Sequence, residues 1–177
     1  ARTQKKDKTI NSAFVYSDTA CVTVTEAPLP WEGNVSESSP YLLKTASDIE
    51  ALRDKVNTEG FSFENTYFQL TEDITLPTGW KPIGVTKDGR KDLKNGENLN
   101  VFSGVFDGNN HTVTVPEGGL PLFGYVRNTR IRNLNIYGKK IAGYGLVNNF
   151  EGVGLSGTAV EIDNVTLKSG SSTLKSG

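Results

Sequence analysis

The 177-residue chain has no methionine, one cysteine and one histidine. A single cysteine excludes an intrachain disulfide framework and a cysteine-based zinc site. A single histidine, His111, excludes an HExxH zinc site, and without a GxSxG elbow no serine or cysteine triad is signalled around it. An excess of charge is missing too: 19 Lys and Arg against 20 Asp and Glu leave a formal net charge of −1. That balance removes the basic footprint of a nucleic-acid binder or a membrane-surface binder. No run approaches the roughly 18 apolar residues of a transmembrane helix, and no charged-then-apolar leader opens the chain. Membrane insertion, a nucleic-acid partner, a metal and a cofactor are therefore not expected. A chain that opens at Ala1 and contains no Met reads as a mature or excised piece of something longer.

What is present is the composition of a globular protein, 36% apolar with 19 glycines. Residues 1–9 are polar and charged and read as an arm with nothing to bury. Two β-like runs follow at 13–16 and 20–25, the second holding Cys21 in an alternating pattern that reads as a small buried hydrophobe. Residues 27–40 carry three prolines among Gly, Asn and Ser, the signature of a linker or an extended crossing segment. We therefore divide the chain into an arm and linker, 1–35, and a principal domain, 36–177.

One helix is expected over Ser47 to Asn57. Ser47 and Glu50 have capping-box spacing, Ile49, Leu52 and Val56 form a narrow apolar stripe, and Asn57 and Gly60 supply the stop. Beyond Phe61 the pattern is β: short runs at Tyr67–Leu70, Ile74–Leu76, Val101–Phe102, Val113–Val115, Ile131–Tyr137 and Val160–Leu167, separated by Gly, Asn and Pro. Val85 to Asn100 has few apolar residues and mixed charge, and reads as a solvated loop.

An internal repeat sets the expected architecture. Ile131-Arg-Asn-Leu-Asn-Ile136 matches Ile162-Asp-Asn-Val-Thr-Leu167 by class at every position, 31 residues on. Thr112 to Val115 is a weaker echo of Asn133 to Ile136, 21 residues back. Small-plus-apolar elements, Gly104-Val105-Phe106, Leu122-Phe123-Gly124 and Gly145-Leu146-Val147, recur upstream of these strands. Such spacing indicates an all-β stacked solenoid in which each tier pairs in parallel with the next. Asn133 and Asn164 fall at equivalent places, where side-chain amides would bond along the stack at a bend. An open solenoid end needs a cover, so the helix is assigned as the N-terminal lid. The other end shows no comparable lid and reads as a truncated stack whose open last tier would self-associate or have a partner. The alternative is an α+β domain with a helix packed on a sheet.

Several strings together resemble GLUG-type β-helix domains of bacterial cell-surface proteins. They run from Pro40-Tyr41-Leu42-Leu43 through Tyr67-Phe68-Gln69-Leu70 and Trp80-Lys81-Pro82-Ile83-Gly84 to FSGVFDGNNHTV at Phe102–Val113 and Leu122-Phe123-Gly124-Tyr125-Val126. The resemblance covers about three quarters of the chain, and FSGVFDGNNHTV is its most specific phrase. It departs from the pattern where Gly145-Leu146-Val147-Asn148 replaces the usual Gly-Leu-Val-Gly. It implies a right-handed parallel β-helix on a secreted or wall-attached bacterial protein, such as an adhesin or the non-catalytic part of a surface protease. It implies no catalytic residues.

Candidate chemistry is sparse. GVGLSG at 152–157 spells GxGxxG, but a strand-like run follows it and no acid stands about 20 residues on, so it reads as a turn. His111 sits in Asn109-Asn110-His111-Thr112 and is expected to bond at a turn, and Asp107 to cap its own Asp-Gly-Asn turn. Glu161 and Asp163 alternate with Val160 and Ile162, so both face outward and read first as solvated surface charge; they are the best metal or acid–base candidate if the chain is a carbohydrate-active β-helix enzyme. Of the aromatics, Trp31 and Trp80 are expected mostly in core or lid, whereas Tyr137 and Tyr144 flank a glycine-bounded turn and are candidate ligand contacts. The expected function is a non-catalytic extracellular surface module, a spacer or an adhesive for a host glycan or matrix protein. A polysaccharide lyase or glycoside hydrolase is the rival.

Overall fold

The computed structural model describes residues 28–86, 99–138, 141, 146–150 and 160–169. The runs at 13–16 and 20–25 with Cys21, the GxGxxG at 152–157, Tyr144 and residues 170–177 lie outside the described residues. The described part is mostly parallel β-sheet with one helix. Its elements are β1 (Tyr41–Leu43), α1 (Ala46–Asn57), β2 (Tyr67–Leu70), β3 (Ile74–Thr75), β4 (Val85–Thr86) and β5 (Leu99–Asn100). They continue with β6 (Val105–Asp107), β7 (Thr112–Val115), β8 (Phe123–Val126), β9 (Thr129–Gly138), β10 (Val147–Phe150) and β11 (Val160–Ser169).

Pairing follows three parallel rows. β1, β2, β6 and the first halves of β9 and β11 make one row. β3, β7 and the second halves of β9 and β11 make another. In the third, Ile83 bridges to Phe123 of β8, and β8 pairs with β10. Successive passes of the chain visit these rows in the same order. The repeat is the register: Ile162 stands opposite Ile131 and Leu167 opposite Ile136, 31 residues apart as the sequence pattern requires. The weaker echo is corrected from 21 to 23 residues, with Thr112 opposite Asn135. A slip of two residues keeps each side chain on its face, so class matching alone did not detect it.

The bend within β9 falls at Asn133, which takes φ +49, and β11 repeats it at Asn164 with φ +50. Asparagine tolerates this left-handed conformation better than other side-chain-bearing residues. At the bend Asn164 Nδ2 donates to Asn133 Oδ1 at 2.9 Å, the expected amide ladder. One tier back the corresponding corner is wider, four residues from Gly108 to His111. Here a Cβ on Gly108 would lie 2.5 Å from the Asn133 carbonyl oxygen, so only glycine lets the two tiers approach this closely.

Side chains alternate across the bend. Ile131, Leu134 and Ile136 are buried, while Arg130 and Tyr137 are exposed. Inside, Phe68 meets Trp31 and Phe63 edge-on at ring-centroid distances of 5.3 and 5.1 Å, and Phe102, Phe123 and Phe106 continue the aromatic column. Trp31 and Trp80 are core, as expected, each with its indole N–H satisfied: Trp31 donates to the Asp48 carbonyl and Trp80 to that of Pro121.

α1 buries Ile49, Leu52 and Val56, and Asn57 pins its end by donating to the Pro82 carbonyl and accepting from the Gly84 amide. Its start is corrected from Ser47 to Thr45. Thr45 Oγ1 accepts from the Asp48 amide, and the Asp48 carboxylate accepts from the Thr45 amide at 2.8 Å and the Lys44 amide at 2.9 Å. Two capping-box patterns overlap in this stretch, and the earlier one forms, with Asp48 taking the Lys44 amide as well as that of Thr45.

Two further expectations are corrected. Val101–Phe102 is not a strand; Phe102 makes a single bridge to Val126, and the strand lies just before it at β5. Of the region read as a solvated loop, residues 87–98 lie outside the described residues, and its two ends pair antiparallel as β4 and β5, with Leu99 buried.

Candidate functional site

The outward side chains of the first row form two straight lines across the strands. Register places Tyr67, Val105, Arg130 and Glu161 side by side, and Gln69, Asp107, Arg132 and Asp163 beside them. At the strand starts the first line opens into a shallow groove of about 350 Å³, lined among others by Glu64, Tyr67, Val105, Asn128, Arg130 and Glu161. Arg130 Nε donates to Glu161 Oε2, and this hydrogen bond holds the guanidinium pKa above its ordinary value. Both side chains are about half exposed, so the pair orients the groove wall and contributes little to stability. A phenol ring, a guanidinium and two carboxylates beside one open groove suit a ligand rich in hydroxyl groups.

The second line is more enclosed. Arg132 Nε donates to Asp107 Oδ2 at 2.8 Å and its other arm reaches Glu37 at 2.9 Å; the bond to Asp107, first, raises the Arg132 pKa. Asp107 also accepts from the Asn109 amide, the turn cap read from the sequence, and from Asn133 Nδ2 at 3.2 Å. The Asn164–Asn133 ladder thus ends on a carboxylate tied to an arginine. Arg132 is committed to this structural corner.

Beyond the corner, Asp73 Oδ1 accepts from the Thr112 amide at 2.8 Å and lies 3.3 Å from His111 Nδ1. The Thr112 hydrogen bond holds the Asp73 carboxyl below the usual carboxylate range, with a smaller contribution from His111. His111 sits at the turn, its amide donating to the Gly108 carbonyl. With the Asp73 side chain 71% exposed, the pair reads as a turn fastening.

The sequence candidates are dispersed. Glu161 faces the groove. Asp163 is exposed, one step along the same face of β11, opposite Arg132. Tyr137 is 41% exposed on the far side of the β9 bend, opposite Lys168, so the structure does not bring it to Glu161. Tyr144 lies outside the described residues. Sequence reasoning passed over Tyr67, Arg130 and Arg132. The signal for Arg130 was in the repeat, since Arg130 and Glu161 each stand one residue before the matching isoleucines. Tyr67 carried no such signal because its tier shares no motif with β9. Among the described residues no group of three or more His, Cys, Asp or Glu is placed to hold a metal ion, and no helix is long and apolar enough to cross a membrane.

No family model, no curated protein and no solved structure matches the chain.

Proposed function

We propose that the chain is a non-catalytic module of a secreted or wall-attached bacterial surface protein, its tiers coiling as a right-handed parallel β-helix of the GLUG type. It acts as a spacer whose outer face also serves adhesion to a host glycan or matrix protein. The observation that carries this reading is the parallel register itself. Tyr67, Val105, Arg130 and Glu161 are held in line by continuous backbone pairing over four strands, which makes a stiff, flat, polar face. Stacked tiers transmit length with little flexing, because each tier is bonded to its neighbours along whole strands. The Arg130–Glu161 pair supports a binding rather than a catalytic role for Glu161, since its carboxylate is already engaged by a guanidinium.

The test is a glycan and matrix-protein array read beside a polysaccharide-degradation assay. Binding without turnover, lost in Tyr67→Ala and Arg130→Ala, is the expected result. Polysaccharide cleavage abolished by Glu161→Gln or Asp163→Asn would replace this reading with a carbohydrate-active enzyme.

A further inference from the structure

We propose that β11 is a two-fold interface at which a second copy of this chain pairs antiparallel, Ile162 of one copy against Leu167 of the other. Among the described residues β11 pairs with β9 alone. Its inward row continues the columns of β9, yet Ile162 is 45% and Leu167 39% exposed where Ile131 and Ile136 beneath them are fully buried. Apolar side chains that continue an inward column yet stand this exposed favour being covered.

The backbone indicates what can cover them. Inward residues elsewhere donate their amides to the following tier: Leu76 to Thr114, Ile83 to Leu122 and Phe123 to Leu146, at 2.9 to 3.0 Å. Outward Val105, Arg130 and Asn135 donate to the preceding one. On β11 the inward Ile162, Val165 and Leu167 therefore present their N–H and C=O groups along the open edge, a template for another strand.

Read from both ends about the point between Asn164 and Val165, β11 matches itself apart from that central pair: Glu161-Ile162-Asp163 run outward, inward, outward, and Lys168-Leu167-Thr166, read backwards, do the same. With Asn164 of each copy opposite Val165 of the other, the two bends nearly coincide. Ile162 then meets Leu167 as a hydrogen-bonded pair, and Glu161 meets Lys168 on the outer face, opposite charges across the strands. A shift by one residue would set inward side chains against outward ones. Head-to-tail stacking is disfavoured because the β1 end is occupied: the Leu42 amide already donates to the Glu32 carbonyl at 2.8 Å. The contact is thus isologous and closes as a dimer.

Sedimentation of the whole chain over a concentration series tests this. Expected is a monomer–dimer equilibrium whose dissociation constant rises at least about tenfold in Leu167→Asp, with unchanged circular dichroism. Register is read in a Cys21→Ser background: Ile162→Cys chains mixed with Leu167→Cys chains form a disulfide-linked dimer on oxidation, and neither forms one alone. A monomer at every concentration, dimerisation unaffected by Leu167→Asp, or Ile162→Cys linking to itself would each overturn the proposal.

Discussion

The two ends of the stack carry similar apolar patterns and treat them in opposite ways. At the β1 end Leu43 and the α1 residues Ile49, Leu52 and Val56 are fully buried, with Trp31 closing over Phe68. At the β11 end Ile162 and Leu167 occupy the same columns as Ile131 and Ile136 but stand open. Alternation along a strand fixes the side to which a residue points. Burial requires a further layer, and at the β11 end none stands over these side chains among the described residues.

The sharpest way to break the comparison is to truncate matched positions. Ile131→Ala is expected to cost about 2–5 kcal/mol, because it opens a cavity between tiers, whereas Ile162→Ala should cost under about 1 kcal/mol. Urea denaturation of both variants measures the difference, and equal losses would mean that β11 is as enclosed as β9. A middling effect is expected at the corner between tiers. Asp107→Ala leaves the Asn109 amide, Asn133 Nδ2 and one face of Arg132 without their acceptor, a loss of about 1–3 kcal/mol.

At the covered end, Thr45→Ala should cost about 1 kcal/mol through the lost helix cap, and Ser47→Ala no more than a few tenths. The reverse ranking, read from thermal melts, would return the helix start to Ser47. The smallest effect is in acid. Asp73 has a folded-state pKa below its unfolded one, so its contribution is fully present above the ordinary carboxylate range. It is lost as pH falls through the lower folded value, below about pH 4. Melting temperature should therefore fall slightly more on acidification in the wild type than in Asp73→Asn, the effect being small because the side chain is largely exposed.

Much of the stack was legible. The isoleucine-to-isoleucine spacing gave the β9–β11 register, and the equivalence of Asn133 and Asn164 gave the ladder at the bend. The cap at Thr45 was not, because Thr45/Asp48 and Ser47/Glu50 are both competent boxes and tertiary packing chooses between them. Strands β6, β8 and β10 were seen only as small-plus-apolar phrases. Three or four residues carry too little alternation to be recognised until neighbours pair with them. The groove was the least legible part: Tyr67, Arg130 and Glu161 come from three strands, and only Arg130 and Glu161 are linked by a repeat.

The amino-acid order by itself determined which residues face inward, where the chain bends and the 31-residue spacing from β9 to β11, since these are local preferences summed over a repeating unit. Tertiary structure decided which helix start forms, which outward side chains share a groove, and which inward ones are covered. Those depend on what lies across the strands, and sequence distance does not record it.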